Sequence, residues 1–151
     1  MNEPEYAGFW IRTGAAIIDT LLMLIIIFPV VTAIYGMEYW LMESFIQGFW
    51  DVMFNYILPA IAVILFWSYK SATPGKMVTK LTIVDAKTGG KPSTGQFIGR
   101  YLGYYVSIIS LFLGIIWVGI DKRKQGWHDK LAGTVVIRSN ISKPVKFENP
   151  V

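Results

Sequence analysis

The sequence predicts an all-α integral membrane protein: two transmembrane helices, a third hydrophobic segment that is broken or re-entrant, and a small cytoplasmic two-stranded β element. Three observations carry that reading. Of 151 residues, 54% are apolar and 16% charged, where soluble domains hold about 45–50% and about 25%. Three stretches approach or exceed the roughly 20 apolar residues that a helix needs to span a bilayer core. The basic residues, finally, cluster beside particular segments instead of spreading evenly. So apolar a chain would collapse instead of staying disordered. With no cysteine, disulfides, thiol nucleophiles and thiolate metal sites are excluded.

Residues 13–35 form the first stretch, whose only charge is Asp19. It exceeds a signal-peptide core and follows Glu3 and Glu5 instead of basic residues, so a retained helix is expected. Residues 52–69 form the second, between Asp51 and Lys70, and residues 101–120 the third, between Arg100 and Asp121. None has a polar face, and a soluble chain of this length could hardly cover all three. Trp10, Tyr35, Tyr39, Trp40, Trp50, Trp67, Tyr69, Tyr101 and Trp117 lie near segment ends, where amphipathic rings settle at headgroups.

Charge bias orients the chain. The first connection carries Glu38, Glu43 and Asp51 without a basic residue. The second, 70–100, carries Lys70, Lys76, Lys80, Lys87, Lys91 and Arg100 against Asp85 alone. Because Lys and Arg mark the cytoplasmic side, the N-terminus and the 70–100 connection are expected there. Residues 121–151 hold seven further Lys or Arg, so the C-terminus is expected there too. A single crossing by the third segment would put that tail outside. A bend near 107–114 resolves the conflict, provided protein buries the freed backbone groups.

Two β-branched runs, 80–85 and 133–138, are expected to pair in the cytoplasm. The chain then reads as one membrane domain over 6–138 and a polar cytoplasmic tail, 139–151, containing Pro144 and Pro150.

The candidate functional residues are the ionisable ones within or beside these segments. Asp19 is costly inside a membrane helix and needs a partner or water. Arg12 lies two turns earlier on the same face, about 10.5 Å along the axis, too far for direct contact. Arg100 is the expected basic partner of Asp19 if the carboxylate only locks the bundle. If it does more, Asp19 is a proton- or cation-accepting group. In the run Asp121-Lys-Arg-Lys-Gln-Gly-Trp-His-Asp129, Lys122 and Lys124 suit anionic headgroups, while Asp121, Arg123, His128 and Asp129 call for another role. His128 is the only histidine, which excludes a multi-histidine metal site and favours a structural role. Thr73-Pro-Gly-Lys76 lacks the remaining glycine and hydroxyl of a phosphate loop and reads as a turn. Asn140-Ile-Ser142 fits the glycosylation pattern, which a cytoplasmic tail would not expose to that machinery.

Arg12, Ile18-Asp19 and the distal Gln125-Gly-Trp-His-Asp129-Lys-Leu-Ala-Gly-Thr134-Val-Val resemble the arginine–aspartate–aspartate, or RDD, membrane family. Thr73-Pro-Gly-Lys76, Ile83-Val-Asp85, Gln96 with Arg100, and Asp121-Lys-Arg-Lys-Gln125 support the likeness, which runs from about Tyr6 to Ile137. By that resemblance the family's Arg falls on Arg12 and its two Asp on Asp19 and Asp129. The resemblance implies a small bacterial-type integral membrane protein, for which transport of ions or unidentified ligands is the usual suggestion.

Two functions follow. The first is monovalent cation/proton exchange by a homo-oligomer in the cell membrane, with Asp19 titrating and Arg12 tuning it. Asp129, with Arg100 or Arg123, would then form the entrance. The second is a non-transporting accessory of a larger membrane complex, in which these residues are a polar clamp. No enzyme, metal or cofactor is expected, because no nucleophile–base pair, metal set or cofactor motif is legible. Membrane lipids are the expected surroundings. Nucleic acid is not an expected partner, since the basic residues flank membrane segments.

Overall fold

The computed structural model describes residues 5–42 and 46–138. Glu3, Glu43, the Asn140 pattern and the tail 139–151 lie outside the described residues. Among the described residues two helices are long and apolar enough to cross a membrane, and a bent pair of helices forms the third hydrophobic segment.

Helix α1 (Phe9–Tyr35) buries only Ala15 and Val31 among its apolar side chains and leaves most others exposed, as a lipid-facing helix does. It ends at Gly36, whose φ of 80° needs glycine and whose N–H donates to Thr32 O at 2.8 Å. A 3-10 turn, Met37–Leu41, follows. Helix α2 covers residues 49–70: Phe49–Val52, a π-helical stretch Met53–Ile57, then Leu58–Lys70. It stops at Ser71, which adopts the left-handed conformation.

The segment expected as a turn is instead a short helix, α3 (Pro74–Val78). Proline at its first position has no N–H to waste and a φ already suited to the helix. Strand β1 (Leu81–Asp85) pairs antiparallel with β2 (Thr134–Arg138), from Leu81 opposite Arg138 to Asp85 opposite Thr134. Tyr6 adds an isolated bridge to Ile137. One face of this sheet joins the core: Leu81, Ile83 and Val136 pack with Ala7, Ala15, Trp67 and Phe97.

Helix α4 (Thr94–Ile109) begins before the hydrophobic stretch, because Ser93 and Gln96 form a reciprocal capping box. Leu111 and Phe112 then take positive φ, and α5 (Leu113–Ile116) leaves at 114° to α4. The close return is possible because position 114 is glycine; a Cβ there would stand 2.8 Å from Ser107 Cβ. A 3-10 turn, Trp117–Gly119, leads toward α6 (Trp127–Ala132), which runs into β2. The sheet therefore receives the chain from both sides of the bent segment.

Candidate functional site

The basic end of the molecule gathers α1, α3, α4, α6 and the sheet around two carboxylates. Asp129 sits in the first turn of α6, where the helix N-terminus favours negative charge, and is fully buried. Its Oδ2 accepts from Arg12 Nη1 at 2.5 Å and from Gly126 N at 3.0 Å. Its Oδ1 accepts from Arg100 Nη1, which also donates to Thr134 Oγ1 at 2.8 Å. Arg12 is further held by Ala7 O at 2.9 Å and Lys124 O at 2.6 Å. Burial pushes the Asp129 carboxyl up, but Arg100 and Arg12 outweigh it and hold the group well below the usual carboxylate range. This joint ties three helices distant in sequence.

Asp19 is the second carboxylate, and its surroundings differ from the expectation. Arg100 does not pair with it; the guanidinium is committed to Asp129. Nor does Arg12, which also turns to Asp129. Asp19 accepts from Thr73 Oγ1 at 2.5 Å and from the Gly75 N–H at 2.6 Å, at the start of α3. It is half-buried, and among the described residues it forms no salt bridge. Contact this close requires glycine at 75, where a Cβ would lie 2.1 Å from Ala15 O and 2.9 Å from Asp19 Cγ. Lys76, the next residue, is within electrostatic reach of Asp19, Arg12, Arg100 and Tyr104. It links the two carboxylate sites.

The remaining candidates hold the surroundings. His128 stacks on Tyr104 with ring centroids 3.9 Å apart, and Gly103 makes room, since a Cβ there would meet His128 Cα at 2.8 Å. Burial pushes the imidazole down to about 3 against the pull of Asp129, so His128 stays neutral near pH 7. Arg123 does not reach Asp129; its Nη2 donates to Ala86 O at 2.8 Å, and its Nε donates to Tyr6 Oη at 3.4 Å. Asp121 accepts from Arg123 N and Gln125 N at 3.1 Å and pairs with Lys130 Nζ at 2.5 Å. Lys130 and these amides outweigh the burial that raises the Asp121 carboxyl, leaving it lowered. Lys122 remains exposed, whereas Lys124 contributes its carbonyl to Arg12. Among the described residues no three His, Cys, Asp or Glu side chains come together as a metal site.

Thr73, Gly75, Lys76 and Trp67 belong to this centre and had no place among the sequence candidates. For Thr73, Gly75 and Lys76 the signal was the Thr73-Pro-Gly-Lys76 string, which reads as a turn and as part of the family likeness but carries no site role by itself. A further carboxylate, Asp51 at the opposite end, enters the sequence reading only as a segment boundary and as part of the acidic first connection. Asp51 is buried and accepts from the Tyr39 hydroxyl, from Gln47 N at 2.9 Å and from Asn55 Nδ2 at 2.5 Å.

A family model described as the RDD family matches residues 6–133. An uncharacterized protein of Rickettsia prowazekii is 37% identical over 95 residues, a match covering 58% of this chain and 53% of that protein. The uncharacterized protein YxaI of Bacillus subtilis is 29% identical, over 91% of this chain and 99% of its own length. YteJ of the same organism, called an uncharacterized membrane protein, is 28% identical over 90% of this chain and 83% of its own. No solved structure matches the chain.

Proposed function

This chain belongs to the RDD family, and from that premise we propose that it exchanges a monovalent cation for protons across the cell membrane, with Asp19 as the ion-binding carboxylate. The observation that carries the proposal is the contrast in pairing: among the described residues Asp19 has only neutral donors, Thr73 Oγ1 and Gly75 N–H, while Arg12 and Arg100 are consumed by Asp129. A half-buried carboxylate without a fixed counter-ion can take a proton or a cation as alternatives. Lys76 supplies the nearby positive charge that steadies Asp19 when both have left. Thr73 supplies an oxygen at the same point.

Positive-inside bias orients the basic end, with the N-terminus, the 70–100 connection and the C-terminus, toward the cytoplasm. The 114° bend in the third segment supports its re-entering on that same side in this reading. Three hydrophobic segments are few to enclose a path, so the working unit in this proposal is a homo-oligomer in lipid. The reaction involves no covalent chemistry, and the protein is not an enzyme in this reading.

The sealed Arg12–Asp129–Arg100 joint favours a second reading, an accessory of a larger membrane complex whose ionisable residues only clamp helices. Proteoliposomes separate the two. The parent protein should dissipate an imposed proton gradient when sodium or potassium is added, and Asp19→Asn should lose that flux while melting within a few degrees of the parent. Ser93→Cys in the same vesicles reports orientation through an impermeant maleimide. Undiminished flux in a well-folded Asp19→Asn protein defeats the transport reading; a collapse of its stability moves the assignment to the clamp.

A further inference from the structure

Around the two carboxylates three cations, Arg12, Arg100 and Lys76, stand against Asp129 and Asp19, with the Tyr104 hydroxyl facing both Arg100 and Lys76. Arg12 is satisfied by its bonds to Asp129, Ala7 and Lys124. The other two cations differ. Lys76 is 8% exposed, and among the described residues no acceptor bonds its Nζ, which rests 5.6 Å from the centroid of the Trp67 ring. Arg100 is 0% exposed and lies 5.5 Å from the same ring and 5.8 Å from that of Tyr104. Among the described residues its Nε and Nη2 have no directed hydrogen-bond partner, although the Tyr104 hydroxyl lies beside the guanidinium, and Trp67 Nε1 has none either.

Ring faces offset part of the charge but accept no well-directed N–H bond from these groups. Buried donors are nearly always bonded, and an uncompensated buried charge is unstable. Buried donors without acceptors, beside two cations, call for a small anionic acceptor; a cation would add to the charge already there.

We propose that Lys76, Arg100 and Trp67 form a binding site for a small anion, a halide or the ionised oxygen of a phosphate headgroup. The site shares Lys76 with the cation step at Asp19, but its test reads anion-dependent stability and not flux, so loss or retention of flux in Asp19→Asn leaves it standing.

The test uses full-length protein in nanodiscs of neutral lipid with gluconate as the only anion. Chloride replaces gluconate at constant ionic strength, and thermal unfolding is followed. An anion that binds only the folded state raises the midpoint; above its dissociation constant, each tenfold rise in chloride shifts the unfolding equilibrium about tenfold. Lys76→Met should abolish the response, and Lys76→Arg should retain it. Repeating the gluconate measurement with phosphatidylglycerol in the disc distinguishes the source. Stabilisation by that lipid alone, lost in Lys76→Met, assigns the site to a headgroup. A parent indifferent to both anions, or a Lys76→Met protein that responds as the parent does, overturns the proposal. If Lys76→Met fails to fold, chloride-35 line broadening in the parent, reversed by bromide, supports the site. No broadening together with no dependence on anionic lipid overturns it.

Discussion

The two ends of the molecule each close around a buried carboxylate, and they do it by different means. At the basic end Asp129 is gripped by two arginines from α1 and α4. At the opposite end Asp51 is held by a tyrosine hydroxyl, a backbone amide and an asparagine amide, all neutral and all within the stretch Tyr39 to Asn55. The basic joint fastens segments far apart in sequence; the other fastens only the connection between consecutive helices. Long-range closure loses more chain entropy than local closure, and charge-assisted bonds are roughly twice as strong as neutral ones. Asn55 lies in the π-helical stretch of α2, where a shifted hydrogen-bond register often accompanies a constrained site. The ends therefore differ in what each joint must resist.

The sharpest way to break this comparison is to remove the negative charge from each joint. Asp129→Asn leaves two buried guanidinium groups facing an amide, and breaking a buried pair costs about 3–5 kcal/mol. Little folded protein should survive purification, as size-exclusion profiles in detergent would show. Asp51→Asn keeps the shape and loses charge-assisted bonds to neutral donors, a change of about 1–3 kcal/mol. Its melting temperature should fall by clearly less than that of Asp129→Asn. Equal losses would mean that the two joints carry equal weight.

A finer distinction comes from pH. His128 is depressed to about 3 by burial, so the unfolded chain binds that proton first. Its contribution is present above the unfolded pKa of about 6.5 and is lost as pH falls toward 3. Tyr39 is raised to about 12 by burial and by the neighbouring Asp51. Its contribution is full below the unfolded pKa of about 10 and is lost as pH rises through 12. The basic end should thus weaken in acid and the opposite end in alkali, each with a slope of at most one proton. His128→Phe should flatten the limb between pH 6.5 and 4, and Tyr39→Phe the limb above pH 10, in melting temperature plotted against pH. A profile unchanged by either substitution would remove the assignment.

Much of the architecture was legible because it follows from short-range patterns. Apolar run length marked the first two hydrophobic helices, and β-branched content marked strands that pair as β1 and β2. The conflict between basic tail and basic connection pointed to a bend between 107 and 114; the break falls at 110–112. The start of α4 was missed because its Ser93–Gln96 capping box precedes the apolar stretch that defined the segment. Helix α3 was missed because Pro-Gly is a turn signal, and here the proline simply opens a helix.

By itself, the sequence determined which residues are expensive to bury: Arg12, Asp19, Arg100 and Asp129 stand out because charge beside long apolar runs must be compensated. Which carboxylate receives which cation was decided only by the tertiary structure. Arg12 and Arg100 converge on Asp129 because α6 is carried back to the sheet by the bent third segment and the pairing of β2 with β1. Asp19 is left to Thr73 and Gly75 because a glycine lets α3 approach α1 at Ala15. Helical spacing relates residues only along one helix, whereas ion pairing depends on distances of a few ångströms between helices. Those distances are set by how the chain turns back on itself, through contacts among residues widely separated in the sequence.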